Sequence, residues 1–254
     1  MLEEIIYGPI KSRRLGSSLG INLLPNDGKI CSFDCIYCER GWNKDNRTNT
    51  HFPIRSEVAF ALEKKLQTLF TEHAKVDYLT FSGNGEPTLH PDFSEIISDT
   101  ILLREKFFPN AKIAVLTNGT QVQKQEVFCA LQKIDNAILK FDSAIEKTAR
   151  LIDKPVGNFS IETQIENYKK FRRSCNLQTL FLTGEIDGKK IDNTNENEIT
   201  AYLRAVKKIM PKTCMLYTID RTTPCVTLCK VPRKTLDKIA LDVNDLGIET
   251  IVAE

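Results

Sequence analysis

Along this chain, short apolar runs alternate with longer stretches in which apolar residues recur every three or four positions, the pattern of repeated strand–helix units around a parallel sheet. The runs at 19–24, 76–81, 112–116, 137–141, 179–182 and 215–219 have strand length and composition. Between them, Val58, Leu62, Leu66, Leu69 and Phe70 make one helical stripe. Ile199, Tyr202, Leu203, Val206 and Ile209 make a second behind Thr194 as its cap, and Leu236, Ile239, Ala240, Val243 and Leu246 make a third that Gly247 stops. Such stripes are core faces. Six strands do not close an eight-fold barrel, so the expected fold is α/β, a partial (βα)6 TIM-like barrel. The polar stretch 184–197 reads as a loop. No internal repeat or linker interrupts the pattern, which predicts one domain over residues 1–254.

Composition fits that picture. At 254 residues the chain is within the range of a single α/β barrel. No apolar run approaches the ~18 residues that span a bilayer, and the start Met1-Leu-Glu-Glu lacks the basic and apolar segments of a signal peptide. A cytoplasmic protein with no membrane partner is expected. Eight cysteines in such a chain point to metal or redox chemistry before disulfides. A net charge of +2 provides no long cationic track for a nucleic-acid backbone.

The cysteines carry the strongest signal. Cys31, Cys35 and Cys38 fall within eight residues, in the run Cys31-Ser-Phe-Asp-Cys35-Ile-Tyr-Cys38. Three thiolates at this spacing suit three corners of a 4Fe-4S cube, whose fourth iron then stays open to a small molecule. The competing reading is structural zinc, with His51 as fourth ligand. Zinc explains neither the Gly-rich acidic stretch Gly83-Asn84-Gly85-Glu86 nor the polar residues that follow each expected strand: Thr117-Asn118-Gly119, Asp142-Ser143, Thr183-Gly-Glu185 and Asp220-Arg221. In a βα barrel these strand ends meet on the face where barrel enzymes do chemistry. Of the other cysteines, Cys129 and Cys214 read as small core residues. Cys225 and Cys229, with Cys214, leave open an auxiliary cluster.

Cys-x3-Cys-x2-Cys with Tyr37 before the third cysteine resembles the cluster motif of the radical S-adenosylmethionine enzymes. Gly83-Asn-Gly-Glu-Pro87 is similar to the Gly-Gly-Glu-Pro motif with which that superfamily binds the methionine end of its cofactor. The opening Tyr7-Gly-Pro-Ile-Lys-Ser-Arg-Arg-Leu-Gly-Ser-Ser-Leu-Gly20 resembles the branch of wyosine-type tRNA-modifying enzymes and their small single-domain relatives, among which a queuine-releasing lyase is one candidate.

The resemblance implies a 4Fe-4S cluster on Cys31, Cys35 and Cys38, S-adenosylmethionine on its open iron, and an electron donor of flavodoxin or ferredoxin type. It implies that Gly83, Asn84, Gly85 and Glu86 meet the methionine moiety, that Tyr37 lies over the adenine, and that Asn118 and Asp142 reach the ribose. Arg13 and Arg14 are expected to clamp an anionic group of the substrate, with Tyr217 as a stacking surface. Glu185, Asp220 and Arg221 are the candidate catalytic residues. The expected reaction is hydrogen abstraction from a small modified nucleoside or nucleotide of queuosine or deazapurine type, by a lyase or oxidoreductase. The alternatives are wyosine-like modification of a tRNA base and a non-catalytic iron–sulfur or zinc protein.

Overall fold

The computed structural model describes residues 1–12, 14–44 and 51–253. The chain divides into two compact units, Met1–Cys31 with Asn43–Ala137, and Ser32–Trp42 with Ile138–Glu254.

In the first unit, β1 (Ile6–Ser12) and β2 (Gly16–Ile21) form an antiparallel hairpin. After α1 (Arg55–Thr71) come β3 (Tyr78–Phe81), α2 (Phe93–Phe107), β4 (Lys112–Thr117), α3 (Gln125–Gln132) and the first residues of β5 (Asn136–Lys140). Strands β2, β3 and β4 are parallel neighbours, with Leu19 beside Leu79 and Leu79 beside Ile113. These side chains are fully buried, as are Ile21 and Phe81. Helix α1 turns Val58, Leu62, Leu66 and Leu69 inward, whereas Phe70, expected in the same stripe, is 56% exposed.

The second unit holds the rest of β5, α4 (Glu146–Asp153), α5 (Ile161–Lys169), β6 (Cys175–Ile186), β7 (Lys189–Asp192), α6 (Glu196–Ile209), β8 (Thr213–Thr218), β9 (Leu228–Lys230), α7 (Arg233–Asn244) and β10 (Glu249–Ala253). β6, β8 and β10 run parallel in that order. α6 packs Tyr202, Ala205, Val206 and Ile209 into the core, and α7 packs Leu236, Ile239, Ala240 and Val243.

Each unit thus contributes three strand–helix repeats, and all six expected strands are present. Two details differ. Residues 184–197 are not a loop: β6 continues to Ile186, turns at Asp187 and Gly188, both with φ > 0, and returns as antiparallel β7. An Asp-Gly pair with two positive φ angles is the sequence signal for such a hairpin. The cap of α6 is Asn195, whose side chain accepts from the Glu198 N–H at 3.2 Å; Thr194 instead bonds to Asp192.

Candidate active site

The first unit builds one set of site residues at the C-terminal ends of β2, β3 and β4. The chain leaving β3 passes through Gly83 and Gly85, and both glycines answer a close approach. A Cβ on Gly83 would fall 2.2 Å from Asn22 Oδ1, and one on Gly85, at φ +142°, would fall 1.8 Å from the Ile30 carbonyl oxygen. The missing side chain on Gly85 lets Ile30 N–H donate to Asn84 O, and Glu86 N–H to Ile30 O, both at 3.0 Å. This loop is therefore stitched to the residue immediately before Cys31.

Glu86 is 2% exposed and ties the β3 loop to the β4 loop. Its Oε1 accepts from Thr88 N–H (3.1 Å), Thr88 Oγ1 (2.5 Å) and Thr117 Oγ1 (2.6 Å), and its Oε2 accepts from Asn118 N–H (2.7 Å). Burial pushes this carboxyl above its usual range, against the pull of those four donors. Asn118 extends the chain of contacts: its Nδ2 lies 3.5 Å from Cys31 Sγ. Cys31 is also held by Asn43, whose side chain accepts from its N–H at 3.1 Å and donates to its carbonyl at 3.0 Å.

Asn84 and Arg14 have surroundings of their own. Asn84, expected at the methionine moiety, is completely buried, and its side chain donates to the Leu2 and Pro25 carbonyls and accepts from Leu2 N–H. Arg14 sits in the turn before Gly16, at the N-terminal end of β2, beside the Ser17–Asp77 contact that opens β3. That is the opposite end of the parallel strands from Cys31 and Glu86, so Arg14 does not join them. Arg13 lies outside the described residues.

The second unit builds another set around Lys140. Lys140 and Asp142 are two apart at the end of β5 and so share a face. Lys140 Nζ lies 2.8 Å from Asp142 Oδ2, 3.6 Å from Asp153 Oδ1 at the end of α4, and 4.3 Å from the Tyr37 ring centroid. The Tyr37 hydroxyl donates to the same Asp142 Oδ2, Leu180 N–H donates to Oδ1, and the Cys35 thiol donates to Asp153 Oδ1 at 3.5 Å. Burial opposes the charge on Lys140, but Asp142, Cys35, Asp153 and Tyr217 together outweigh it and hold the ammonium well above its ordinary range. Asp142 makes the shorter contact with this single cation. Burial, followed by repulsion from Asp142, leaves Asp153 well above the usual carboxylate range.

The main chain of the cysteine segment is anchored to α4 as well: Asp34 N–H donates to Asp153 O, and Ile36 N–H to Ile152 O, both at 2.9 Å. Asp142, expected at the ribose, is thus committed to Lys140, Tyr37 and Leu180. Tyr217 is half-buried on β8; Asp220 is exposed; Arg221 forms an exposed ion pair at 2.7 Å with Glu39, the residue after Cys38. Glu185 is exposed on β6, opposite Lys190 of β7. Lys140 and Asp153 are the residues the sequence reading missed. A lysine ending the apolar run Ala137-Ile-Leu and spaced two from an aspartate was the available signal; nothing in sequence marked Asp153.

None of the eight cysteines is in a disulfide. Cys35 is buried, and Cys31 and Cys38 are half-buried. Among the described residues no three His, Cys, Asp or Glu side chains converge as ligands of one metal ion would. A cubane asks for something else, since each thiolate binds its own iron. Three thiols on one short segment, with an amide facing Cys31 Sγ, fit that donor set. Cys214 does not join Cys225 and Cys229: it is buried on β8 beside Tyr202, while Cys229 is exposed on β9. Burial pushes the Cys214 and Cys175 thiols up to about 12. Cys129, expected in the core, is exposed on α3.

Residues 26–196 match the family model described as "Radical SAM superfamily". The chain belongs to this superfamily. Its members use a 4Fe-4S cluster and S-adenosylmethionine. A UPF0026 protein of Methanocaldococcus jannaschii is 31% identical over 245 residues, which are 95% of this chain and 72% of that protein. A Brachyspira hyodysenteriae protein described as GTPase Obg is 30% identical over 222 residues, 86% of this chain; the chain spans only 30% of its length. Among solved structures, a radical SAM methyltransferase from Sphaerobacter thermophilus is similar with TM-score 0.69 at 12% identity, covering 93% of this chain and 65% of that one. Streptococcus suis SuiB bound to S-adenosylmethionine has TM-score 0.64 at 15% identity (90% and 49%), and TYW1 with a lysine-pyruvate adduct bound has 0.61 at 14% (90% and 73%). These likenesses give the fold class: α/β, the partial TIM-like barrel of radical SAM enzymes. No helix among the described residues is long and apolar enough to cross a membrane.

Proposed function

We propose that this radical SAM enzyme holds its 4Fe-4S cluster on Cys31, Cys35 and Cys38 and abstracts hydrogen from a small modified nucleoside or nucleotide of deazapurine type. The observation that carries the site assignment is the continuous linkage from the Gly83–Glu86 loop through Asn118 to Cys31 Sγ. It joins the loop proposed to meet the cofactor to Cys31. Cys31, Cys35 and Cys38 would hold the cluster, which would supply one-electron reduction of bound S-adenosylmethionine.

This chain's residues do the holding. Glu86 Oε2 accepts one hydrogen bond from the protein and has capacity for a second, from the methionine ammonium. The bare backbone at Gly83 and Gly85 keeps side-chain bulk away from that end. Tyr37, fixed by Asp142 and Lys140, presents its ring to the adenine, and the Asn118 side chain is assigned to the ribose edge of the same ligand. Tyr217, Asp220 and Arg221 at the end of β8, with Glu185, form the substrate-facing set.

Supporting a small substrate is the net charge of +2, too low for a long phosphate track. We assign the enzyme to the lyase or oxidoreductase class, in one domain, acting in the cytoplasm with a flavodoxin- or ferredoxin-type donor. The test is 5′-deoxyadenosine formation measured side by side with deazapurine bases, nucleosides, nucleotides and unmodified tRNA. Stimulation by a small deazapurine compound is expected. Stimulation by tRNA alone, falling steeply with salt, replaces this reading with the wyosine-like one.

A further inference from the structure

The Cys35 sulfur meets an ionisable side chain, Asp153, at 3.5 Å. The same oxygen, Asp153 Oδ1, lies 3.6 Å from Lys140 Nζ. Because both contacts converge on one atom, the ammonium lies within about 7 Å of the sulfur, in a site where solvent does little to screen charge. Lys140 itself is held from three sides, by Asp142, Asp153 and the face of Tyr37, which belongs to the same segment as Cys35. Its side chain is 16% exposed. A lysine ammonium is flexible and readily hydrated at a surface; here it is desolvated and fixed.

We propose that Lys140 is a positioning residue that places a fixed positive charge behind Cys35 and thereby favours one-electron reduction of the cluster. The inference rests on Cys35 being a cluster ligand. The electron comes from a low-potential one-electron donor of flavodoxin or ferredoxin type. No proton moves, and Lys140 stays an ammonium throughout; the added negative charge on the cluster side is simply better tolerated with a cation nearby. Charge near an iron–sulfur centre and bonds to its ligand sulfurs are the levers a protein has over its potential. In this chain Asp142 and Asp153 orient the lever, and Tyr37 covers it.

The experiment is a redox titration of anaerobically reconstituted full-length protein, followed by the electron paramagnetic resonance of the reduced cluster. Wild type, Lys140→Gln and Lys140→Arg are compared, with Lys140→Met as a second charge-removing variant should the glutamine form fold poorly. Iron content, circular dichroism and melting temperature are measured on each. Gln or Met is expected to make reduction at least tenfold less favourable, a shift of at least 59 mV to more negative potential for a one-electron couple, while Arg restores the wild-type midpoint. A full iron complement with an unchanged midpoint in the charge-removed variants overturns the role of Lys140. Failure of the underlying ligand assignment shows itself differently: Cys35→Ala would retain the wild-type cluster and spectrum.

Discussion

Asn118 aims its side-chain amide at Cys31, with Nδ2 3.5 Å from Sγ, while its own backbone N–H donates to Glu86 at 2.7 Å. One residue of the β4 loop therefore reads both the first cysteine and the acidic residue of the β3 loop. Movement of either displaces the other. Glu86 is best understood as the keystone of this linkage: three of the four donors it receives come from side chains or backbone of Thr88 and Thr117, none of which has another acidic acceptor in the contacts described.

Replacing Glu86 with Ala should destabilise the protein as well as weaken S-adenosylmethionine binding. The change strands buried donors on Thr117, Thr88 and Asn118, and each unsatisfied buried group costs ~1–3 kcal/mol. A net loss of about 3 kcal/mol by chemical denaturation is expected, with a smaller loss for Glu86→Gln. A loss below about 1 kcal/mol with intact cofactor affinity would show that the network is not the support described.

Gly85→Ala places a methyl where the Ile30 carbonyl stands, at 1.8 Å, in backbone with φ +142°. Neither the clash nor the strain can be relieved by a side chain moving, because the obstacle is main chain. The segment that leads into Cys31 must shift. We expect a lowered melting temperature and less iron retained after reconstitution; wild-type values for both would mean that the loop and the Cys31 segment are not interlocked.

Thiol labelling should sort the cysteines by burial. Cys129 and Cys229 are exposed and should react with a maleimide in the folded protein, whereas Cys175 and Cys214 are completely buried and should react only on unfolding. Their folded pKa of about 12 lies above the ordinary 9.0. A thiol raised in the folded state contributes stability that is fully present below pH 9 and is lost as pH rises towards 12. The loss is on the order of 4 kcal/mol per thiol. Cys214→Ala should flatten part of that alkaline decline; an identical pH profile would count against it.

The Arg221–Glu39 ion pair is largely exposed, at 66% and 43%. Such pairs contribute ~0–1 kcal/mol. Arg221→Ala should therefore leave the melting temperature nearly unchanged, and its effect should appear as a raised KM for the substrate. A marked loss of stability with unaltered KM would assign Arg221 to structure.

Much of this was readable in the chain. The strands were legible because each is a short apolar run bounded by turn residues, and their neighbours are the helical stripes of α1, α6 and α7. The hairpin of β6 and β7 was missed because Thr183-Gly-Glu185 and Lys189-Lys190 are polar, although Asp187-Gly188 marks its turn. At the site, the Cys31–Cys38 spacing and the Gly83–Glu86 loop were visible because their chemistry needs those residue types close in sequence. What each side chain touches was not. Asn84 binds Leu2 and Pro25, 82 and 59 positions away, and Cys35 meets Asp153 across 118 positions. Contacts at such separations depend on tertiary packing, and no local pattern encodes them. The place of Arg14 depends on pairing too: β1 and β2 form a hairpin, which puts the arginine in their turn, at the N-terminal end of β2.

The most direct test of the whole account is to reconstitute the protein anaerobically with iron and sulfide, reduce it, and measure 5′-deoxyadenosine formed from S-adenosylmethionine, in wild type and in the variant with Cys31, Cys35 and Cys38 all changed to Ala. About four irons per chain and measurable 5′-deoxyadenosine are expected in wild type, and neither in the triple variant. Stoichiometric zinc with no iron in wild type, or undiminished 5′-deoxyadenosine from the triple variant, would contradict it.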